Sequence, residues 1–83
     1  MDFIVVEFHD QVSQTLHDLQ LPTFLSGDDL VRALTRAYHL PLDVTKAEQL
    51  YLRAEDPIVM IEGNRSLEAL GLSNGTRIYF DAR

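Results

Sequence analysis

The sequence contains no cysteine, and Lys46 is its single lysine. Without cysteine the chain has no disulfide framework, no thiol nucleophile and no thiolate-ligated zinc or iron–sulfur centre. The longest apolar run, PIVMI at 57–61, is far shorter than the roughly 18 residues that a membrane span requires. The opening MDFIVVEF has no basic segment and no small-residue cleavage site. We therefore expect a cytoplasmic protein with no secretion signal and no direct membrane insertion.

Positive charge is also scarce. Seven Lys and Arg stand against thirteen Asp and Glu, which gives a formal net charge of −6. Nucleic-acid binding requires a basic surface that neutralises phosphates, and an anionic membrane surface attracts basic segments. The balance excludes both as partners, and its simplest consequence is solubility.

The chain is long enough for one domain, residues 1–83, and 46% of it is hydrophobic. The first half predicts a β-hairpin and then a helix. FIVVEF at 3–8 and TLHDLQLP at 15–22 have strand character, with a reversal at 9–14. The period of the apolar residues then changes from two to about 3.6 residues, which predicts a helix from about Ser26 to His39 with Ser26 as its N-terminal cap. Its apolar stripe is expected to be Leu30, Val31, Leu34, Ala37 and Tyr38, opposite Asp28, Arg32, Thr35, Arg36 and His39.

The second half predicts three more strands and a helical turn. EQLYLRAE at 48–55 alternates, with Leu50 and Leu52 inward, and PIVMI follows as a short strand. SLEALGL at 66–72 is a single helical turn that Gly71 ends, and Asn74-Gly75 is a corner. RIYF at 77–80 is the last strand; because it is so apolar, we expect it in the middle of the sheet, beside the first strand. One helix on one face of a mixed sheet of four to five strands is an α+β domain of the β-grasp, or ubiquitin-like, fold.

Three stretches carry a resemblance that covers nearly the whole chain: DLQLP, LVRALTRAYHL and LYLRAEDPIVMIEGNRSLEALGLSNGTRIYF. Together they resemble the YukD/EsaB family of small bacterial ubiquitin-like proteins, most specifically through SLEALGLSNGTRI. The resemblance implies a non-catalytic accessory protein of the type VII (ESX-like) secretion system of Gram-positive bacteria. The implied partner is a protein, in a cytosolic region of that machinery. It implies no catalytic residues and no cofactor.

The tail bears on a different activity. Ubiquitin and the sulfur carriers end in a flexible Gly-Gly tail, whereas this sequence ends Asp81-Ala82-Arg83. We therefore expect no conjugation and no thiocarboxylate chemistry through the C-terminus. Members of the resembled family also lack the two glycines.

No residue pattern indicates catalysis or metal binding. His9, His17 and His39 lie on different predicted elements, and a metal site needs ligands that converge. Adjacent carboxylates such as Asp28-Asp29 do not converge for acid–base chemistry, and their position at a helix start explains them. We predict no catalytic, cofactor-binding or metal-binding residues.

One surface is a candidate for protein binding. In a β-grasp sheet the first, last and third strands lie side by side, and the helix leaves one face uncovered. The residues expected there are Phe3, Val5, Tyr51, Arg53, Arg77 and Tyr79. We expect Tyr51 to lie close to Tyr79. We also expect this face to be less negative than the rest of the chain, and its partner to present an acidic, partly apolar segment. Ordinary cross-strand packing is an equal interpretation of the same residues.

Three functions stay open: a type VII secretion module, a small regulatory subunit of a multicomponent oxygenase, and a ubiquitin-type modifier or sulfur carrier. The tail argues against the third.

Overall fold

A computed structural model of the chain describes residues 2–81. It contains a five-stranded sheet, one α-helix and one 3₁₀ helix. The sheet has the order β2-β1-β5-β3-β4, in which β1 and β5 are parallel and the other neighbours are antiparallel. The last strand therefore lies in the centre, as predicted, and the α+β β-grasp fold is confirmed. The elements are β1 (Phe3–Asp10), β2 (Thr15–Pro22), α1 (Gly27–Tyr38), the 3₁₀ helix (Ala47–Gln49), β3 (Leu52–Glu55), β4 (Val59–Ile61) and β5 (Arg77–Phe80).

The opening hairpin is longer than predicted. β1 continues to Asp10, which pairs with Thr15, so the reversal is confined to residues 11–14. The Asp10 carboxylate accepts hydrogen bonds from the backbone N–H groups of Val12 (3.1 Å) and Ser13 (3.2 Å). This side chain closes the turn from the end of the strand, a role typical of Asp in turns.

The helix agrees with its predicted limits. The Ser26 hydroxyl accepts a hydrogen bond from the Asp29 N–H at 3.0 Å, and His39 ends the helix in the left-handed region at φ 54°. One residue of the predicted apolar stripe, Ala37, and one of the predicted polar face, Thr35, are wrongly placed. Ala37 is exposed, whereas Thr35 is buried, and its hydroxyl donates to the Val31 carbonyl at 2.7 Å. This internal hydrogen bond lets a polar residue occupy an apolar face.

The third strand is shorter than predicted. Residues 48–51 do not pair in the sheet; instead Leu50 N–H bonds to the Ala47 carbonyl (3.1 Å) and Tyr51 N–H to the Gln49 carbonyl (3.0 Å). These local bonds use the amides that a strand would offer to its neighbour. Leu50 remains buried, so the predicted inward position is right although the element is not.

The segment before β5 folds as predicted. The Ser66 hydroxyl accepts from the Ala69 N–H at 3.0 Å, and Gly71 and Gly75 have φ of 88° and 89°, where glycine is favoured. Thr76 then anchors the start of β5, since its buried hydroxyl donates to the Asp56 carbonyl at 2.7 Å.

The hydrophobic core lies between α1 and one face of the sheet. No helix within residues 2–81 is long and apolar enough to cross a membrane. On the opposite face of the sheet, no α-helix of residues 2–81 covers the strands. The buried apolar residues are Ile4, Val6, Phe8, Leu21, Leu30, Val31, Leu34, Leu40, Leu50, Leu52, Ala54, Ile61, Leu67, Leu72, Ile78 and Phe80.

Candidate functional site

Two of the six predicted residues lie away from the others. Phe3 and Val5 are half exposed on β1, but the pairing of β1 with β5 starts only at Glu7 and Arg77. Val5 instead contacts the corner before β5, where its carbonyl accepts from the Gly75 N–H at 2.9 Å. The parallel register therefore separates this apolar pair from Arg77 and Tyr79.

Tyr51 is also displaced from its predicted position. It precedes β3 and lines an open cleft of about 350 Å³ with Pro41, Leu42, Glu48 and Gln49. The residue of β3 directly opposite Tyr79 is Arg53, not Tyr51 as the predicted strand implied.

The structure aligns five residues across the uncovered face, two from the predicted set, Arg53 and Tyr79, and three others. Leu16 pairs with His9, His9 with Tyr79, Tyr79 with Arg53, and Arg53 with Met60, one residue from each strand. We call this set the aromatic row. Side chains alternate between faces along a strand, so the row points away from the core that its strand neighbours enter. Those buried neighbours include Phe8, Ala54, Ile61 and Ile78.

Tyr79 is at the centre of the row and is contacted on both sides. The His9 ring centroid lies 4.7 Å from that of Tyr79, with 32° between the planes. On the other side, Arg53 Cζ lies 4.2 Å from the Tyr79 ring centroid, a cation–π contact. The Tyr79 hydroxyl donates to Glu55 Oε1 at 3.3 Å. These contacts fix the ring while leaving it part-exposed, which is a property of preorganised binding surfaces.

Carboxylates hold Arg53 in place. Its Nε and Nη2 donate to the two oxygens of Asp81 at 2.9 and 3.1 Å, and its Nη1 donates to Glu55 at 2.9 Å. The paired Asp81 carboxylate raises the pKa of Arg53, with Glu55 adding to the effect. A bidentate pair of this kind fixes the orientation of the guanidinium plane.

Arg77 is held in a similar way beside the row. Its Nη2 forms an ion pair with Asp56 Oδ2 at 2.8 Å and donates to Glu55 Oε1 at 3.3 Å. The pKa of Arg77 is raised, first by the Tyr79 phenol oxygen and then by the Asp56 carboxylate.

The charge of this face differs from the expectation. The two guanidiniums are each neutralised by carboxylates, and Glu7 adds another acid, with Oε1 3.2 Å from His9 Nε2. Three carboxylates pair with the two arginines and Glu7 lies beside His9, so the face is not locally less negative. Each arginine already has carboxylate partners within the chain.

Sequence reasoning missed His9, Leu16 and Met60. The sequence predicts His9 in the reversal at 9–14. In the structure it is a strand residue that pairs with Leu16 and Tyr79. In the structure the alternation of exposed and buried positions continues through His9 and Asp10, but Asp10 is a polar residue at a buried position, so the apolar alternation of the sequence ends before it.

The other histidines have structural contacts. His17 lies against Tyr38 of the helix, with ring centroids 4.5 Å apart, and His39 caps the helix. Within residues 2–81 no three His, Asp or Glu side chains are grouped so that they could hold a metal ion. The tail residues 82–83, on which the expectation about conjugation rests, lie outside the described part.

Comparison with known proteins shows the fold and not the family. No protein-family model and no curated protein matches the sequence. Among solved structures, the chain is similar to a designed protein based on ubiquitin, with a TM-score of 0.69 and 13% identity over 99% of this chain and 90% of that one. It is also similar to the C-terminal ubiquitin-like domain of mouse tubulin-specific chaperone e, with a TM-score of 0.68, 17% identity and the same coverage.

The fold and the uncovered sheet face together define the structural class of this protein. The chain has a ubiquitin-like β-grasp fold, and its uncovered sheet face carries a fixed, part-exposed aromatic centre.

Proposed function

We propose that this chain is a non-catalytic, ubiquitin-like protein-interaction module that binds its partner through the aromatic row. The observation that carries the proposal is the Tyr79 ring, held between His9 and Arg53 on a sheet face that no α-helix in the described part of the chain covers. Tyrosine and arginine are enriched at binding hot spots, because each combines apolar contact with hydrogen bonding. The ends of the row supply apolar area, since Leu16 is 59% and Met60 46% exposed.

The partner's chemistry follows from the ion pairs around the row. An acidic segment would compete with Asp81 for Arg53 and would meet the nearby carboxylates. An apolar or aromatic segment can instead cover the Tyr79 ring without breaking the bidentate pair. We therefore propose a partner that is apolar at the centre of the contact and not acidic, which replaces the expectation from sequence.

At a finer level, we propose that the module is an accessory or regulatory component of a bacterial type VII secretion system and binds a cytosolic region of that machinery. The resemblance of SLEALGLSNGTRI and the preceding strand to the YukD/EsaB family supports this role. The ubiquitin-like fold is compatible with it. The oxygenase alternative shares the fold but has no residue in its favour.

Proteins of the resembled family are encoded with a membrane FtsK-type ATPase and small helical substrates, so capture of a cytosolic fragment of that ATPase tests both the binding module and its role in secretion. We expect Tyr79→Ala to lose the fragment, and the matched variant Phe24→Ala to retain it, because Phe24 is 76% exposed but outside the row. Secretion of the small helical substrates should likewise fall in Tyr79→Ala and stay at the level of the parent chain in Phe24→Ala. If the parent chain fails to bind the fragment and the gene lies beside a di-iron hydroxylase gene, the secretion role is wrong while the module itself stands.

A further inference from the structure

The second strand forms a long open edge of the sheet. β2 has eight residues, all paired with β1 on one side, and it is the first strand in the sheet order. No residue within 2–81 pairs with its other side. The opposite edge, β4, has only three residues.

The backbone of β2 offers hydrogen-bonding groups to this edge. In an antiparallel pair, opposite residues either exchange both hydrogen bonds or direct both groups away from each other. The Glu7 N–H donates to the Thr76 carbonyl at 3.0 Å, on the side of β5, so its partner on β2, Asp18, directs its N–H and C=O to the open edge. The same geometry holds for Gln20, because its partner Val5 also bonds toward β5.

This edge has few of the features that block strand addition. Natural edges are protected by charged side chains, above all lysine, by proline, by bulges or by shortness, and of the charged residues β2 carries only Asp18. β2 has no lysine, its register with β1 is uninterrupted, and its proline, Pro22, is the last residue. The middle of the strand is therefore a template for one more strand.

The charges beside the edge of β2 determine which kind of partner strand can pair with it. Asp18 is exposed, has no ionic partner within the described residues and pairs with Glu7, so the uncovered face is acidic at mid-strand. On the helix side, Leu19 is a part-buried apolar neighbour. A second copy of this chain carries a net charge of −6, and pairing two β2 strands about Asp18 would place like charges opposite each other.

We propose that the open edge of β2 binds an extended partner segment in which basic and apolar residues alternate. The basic side chains lie beside Asp18, the apolar ones lie beside Leu19, and the segment's backbone bonds to Asp18 and Gln20. This is β-strand addition, in which main-chain bonds give affinity and alternate side chains give specificity. It rests on the proposed function only in that the partner is a protein, and it uses a different part of the surface.

Amide hydrogen exchange on the full chain tests the proposal directly. The probe is a capped synthetic peptide that alternates lysine and valine, and the control peptide alternates glutamate and valine. We expect the lysine peptide to slow exchange at Asp18 and Gln20, which face the edge, and to leave Leu19 little changed because it already bonds to β1. The glutamate peptide should have no effect.

Two variants separate the backbone contact from the side chain. Gln20→Pro removes the outward N–H and leaves the pairing with β1, as Pro22 already does at an equivalent position; Gln20→Ala keeps the N–H. Loss of one hydrogen bond and the added ring should weaken peptide binding about tenfold in the proline variant alone. Asp18→Asn should weaken it and reduce its dependence on salt.

Several outcomes would overturn the inference. These are equal binding by the two Gln20 variants, equal binding of both peptides, or unchanged exchange at Asp18 and Gln20 in the parent chain. A peptide-free homodimer with these amides protected would make a second copy the occupant instead. Tyr79→Ala should bind the peptide like the parent, so loss of ATPase capture in that variant would bear on the row alone.

Discussion

Arg53 lies over the ring of Tyr79, with Cζ 4.2 Å from the ring centroid, and this relationship crosses from β3 to the central strand β5. The guanidinium cannot rotate freely because Asp81 accepts two of its hydrogen bonds. At Arg53 and Tyr79 the uncovered face therefore carries side chains held in fixed positions.

Asp81→Asn should release Arg53 from this arrangement. In the parent chain, we expect the Arg53 Nε–H to give a slowly exchanging NMR signal, because it donates to Asp81 at 2.9 Å. The substitution should speed its exchange and leave the urea midpoint nearly unchanged, since exposed ion pairs contribute little to stability. Asp28→Asn is the matched control, because Arg32 Nε donates to Asp28 at 3.0 Å. That control should affect the Arg32 signal only; an unchanged Arg53 signal in Asp81→Asn would contradict the bidentate pair.

Leu34→Ala should lower the free energy of unfolding by about 2–5 kcal/mol, because it leaves a cavity between the helix and the sheet. Leu34 is 4% exposed, whereas Leu16 is 59% exposed. The same substitution at Leu16 should stay within about 0.5 kcal/mol of the parent, as surface changes usually do. Urea denaturation of both variants measures the difference, and equal effects would show that the helix face is wrongly assigned.

Gly27→Ala should destabilise the chain although alanine favours helices. A Cβ at this first helical residue would lie 2.7 Å from the Glu62 N and 2.8 Å from its O, which are backbone atoms that cannot easily move. Overpacking of this kind costs about 1–3 kcal/mol, more than the gain of roughly 1 kcal/mol in helix propensity. Thermal unfolding gives the sign of the change, and a stabilised variant would place Glu62 farther from the helix.

Thr45→Ala should raise the pKa of Asp43. In the parent, the Thr45 hydroxyl and backbone N–H donate to Asp43 and lower its pKa below the ordinary 3.8. Since the pKa in the folded chain is below the unfolded value, the stabilisation is present above that unfolded value and is lost as pH falls through the folded one. Carboxyl NMR titration measures the shift, with Val44→Ala as the control. A pKa that does not respond to Thr45→Ala would contradict the hydrogen bonds.

The sequence predicts the fold well because its signals are local and agree with each other. The Ser26 cap, the change of period and the Asn74-Gly75 corner each specify an element, and the apolar last strand specifies its central place. The alternation of apolar and polar residues predicts a strand at Leu50 and Tyr51. It does not reveal the local hydrogen bonds that use the backbone N–H groups of these two residues.

The candidate site was only partly predictable. The sequence identifies Arg53 and Tyr79 because it predicts the strands that carry them. Which residues lie beside them depends on the register between strands, which the sequence does not show. A parallel pairing that starts at Glu7 places His9, and not Val5, beside Tyr79. No sequence pattern encodes that offset. The pairing of both arginines with Glu55, Asp56 and Asp81 likewise depends on contacts across strands.

The central claim is that the uncovered sheet face is the partner-binding surface, and NMR titration of the labelled chain with the ATPase fragment tests it most directly. We expect the largest chemical-shift changes at His9, Tyr79 and Arg53, and we expect Tyr79→Ala, folded by its urea midpoint, to remove them while Phe24→Ala retains them. Shifts confined to the polar face of α1, or equal affinity of the two variants, would contradict the claim and leave the row as ordinary cross-strand packing.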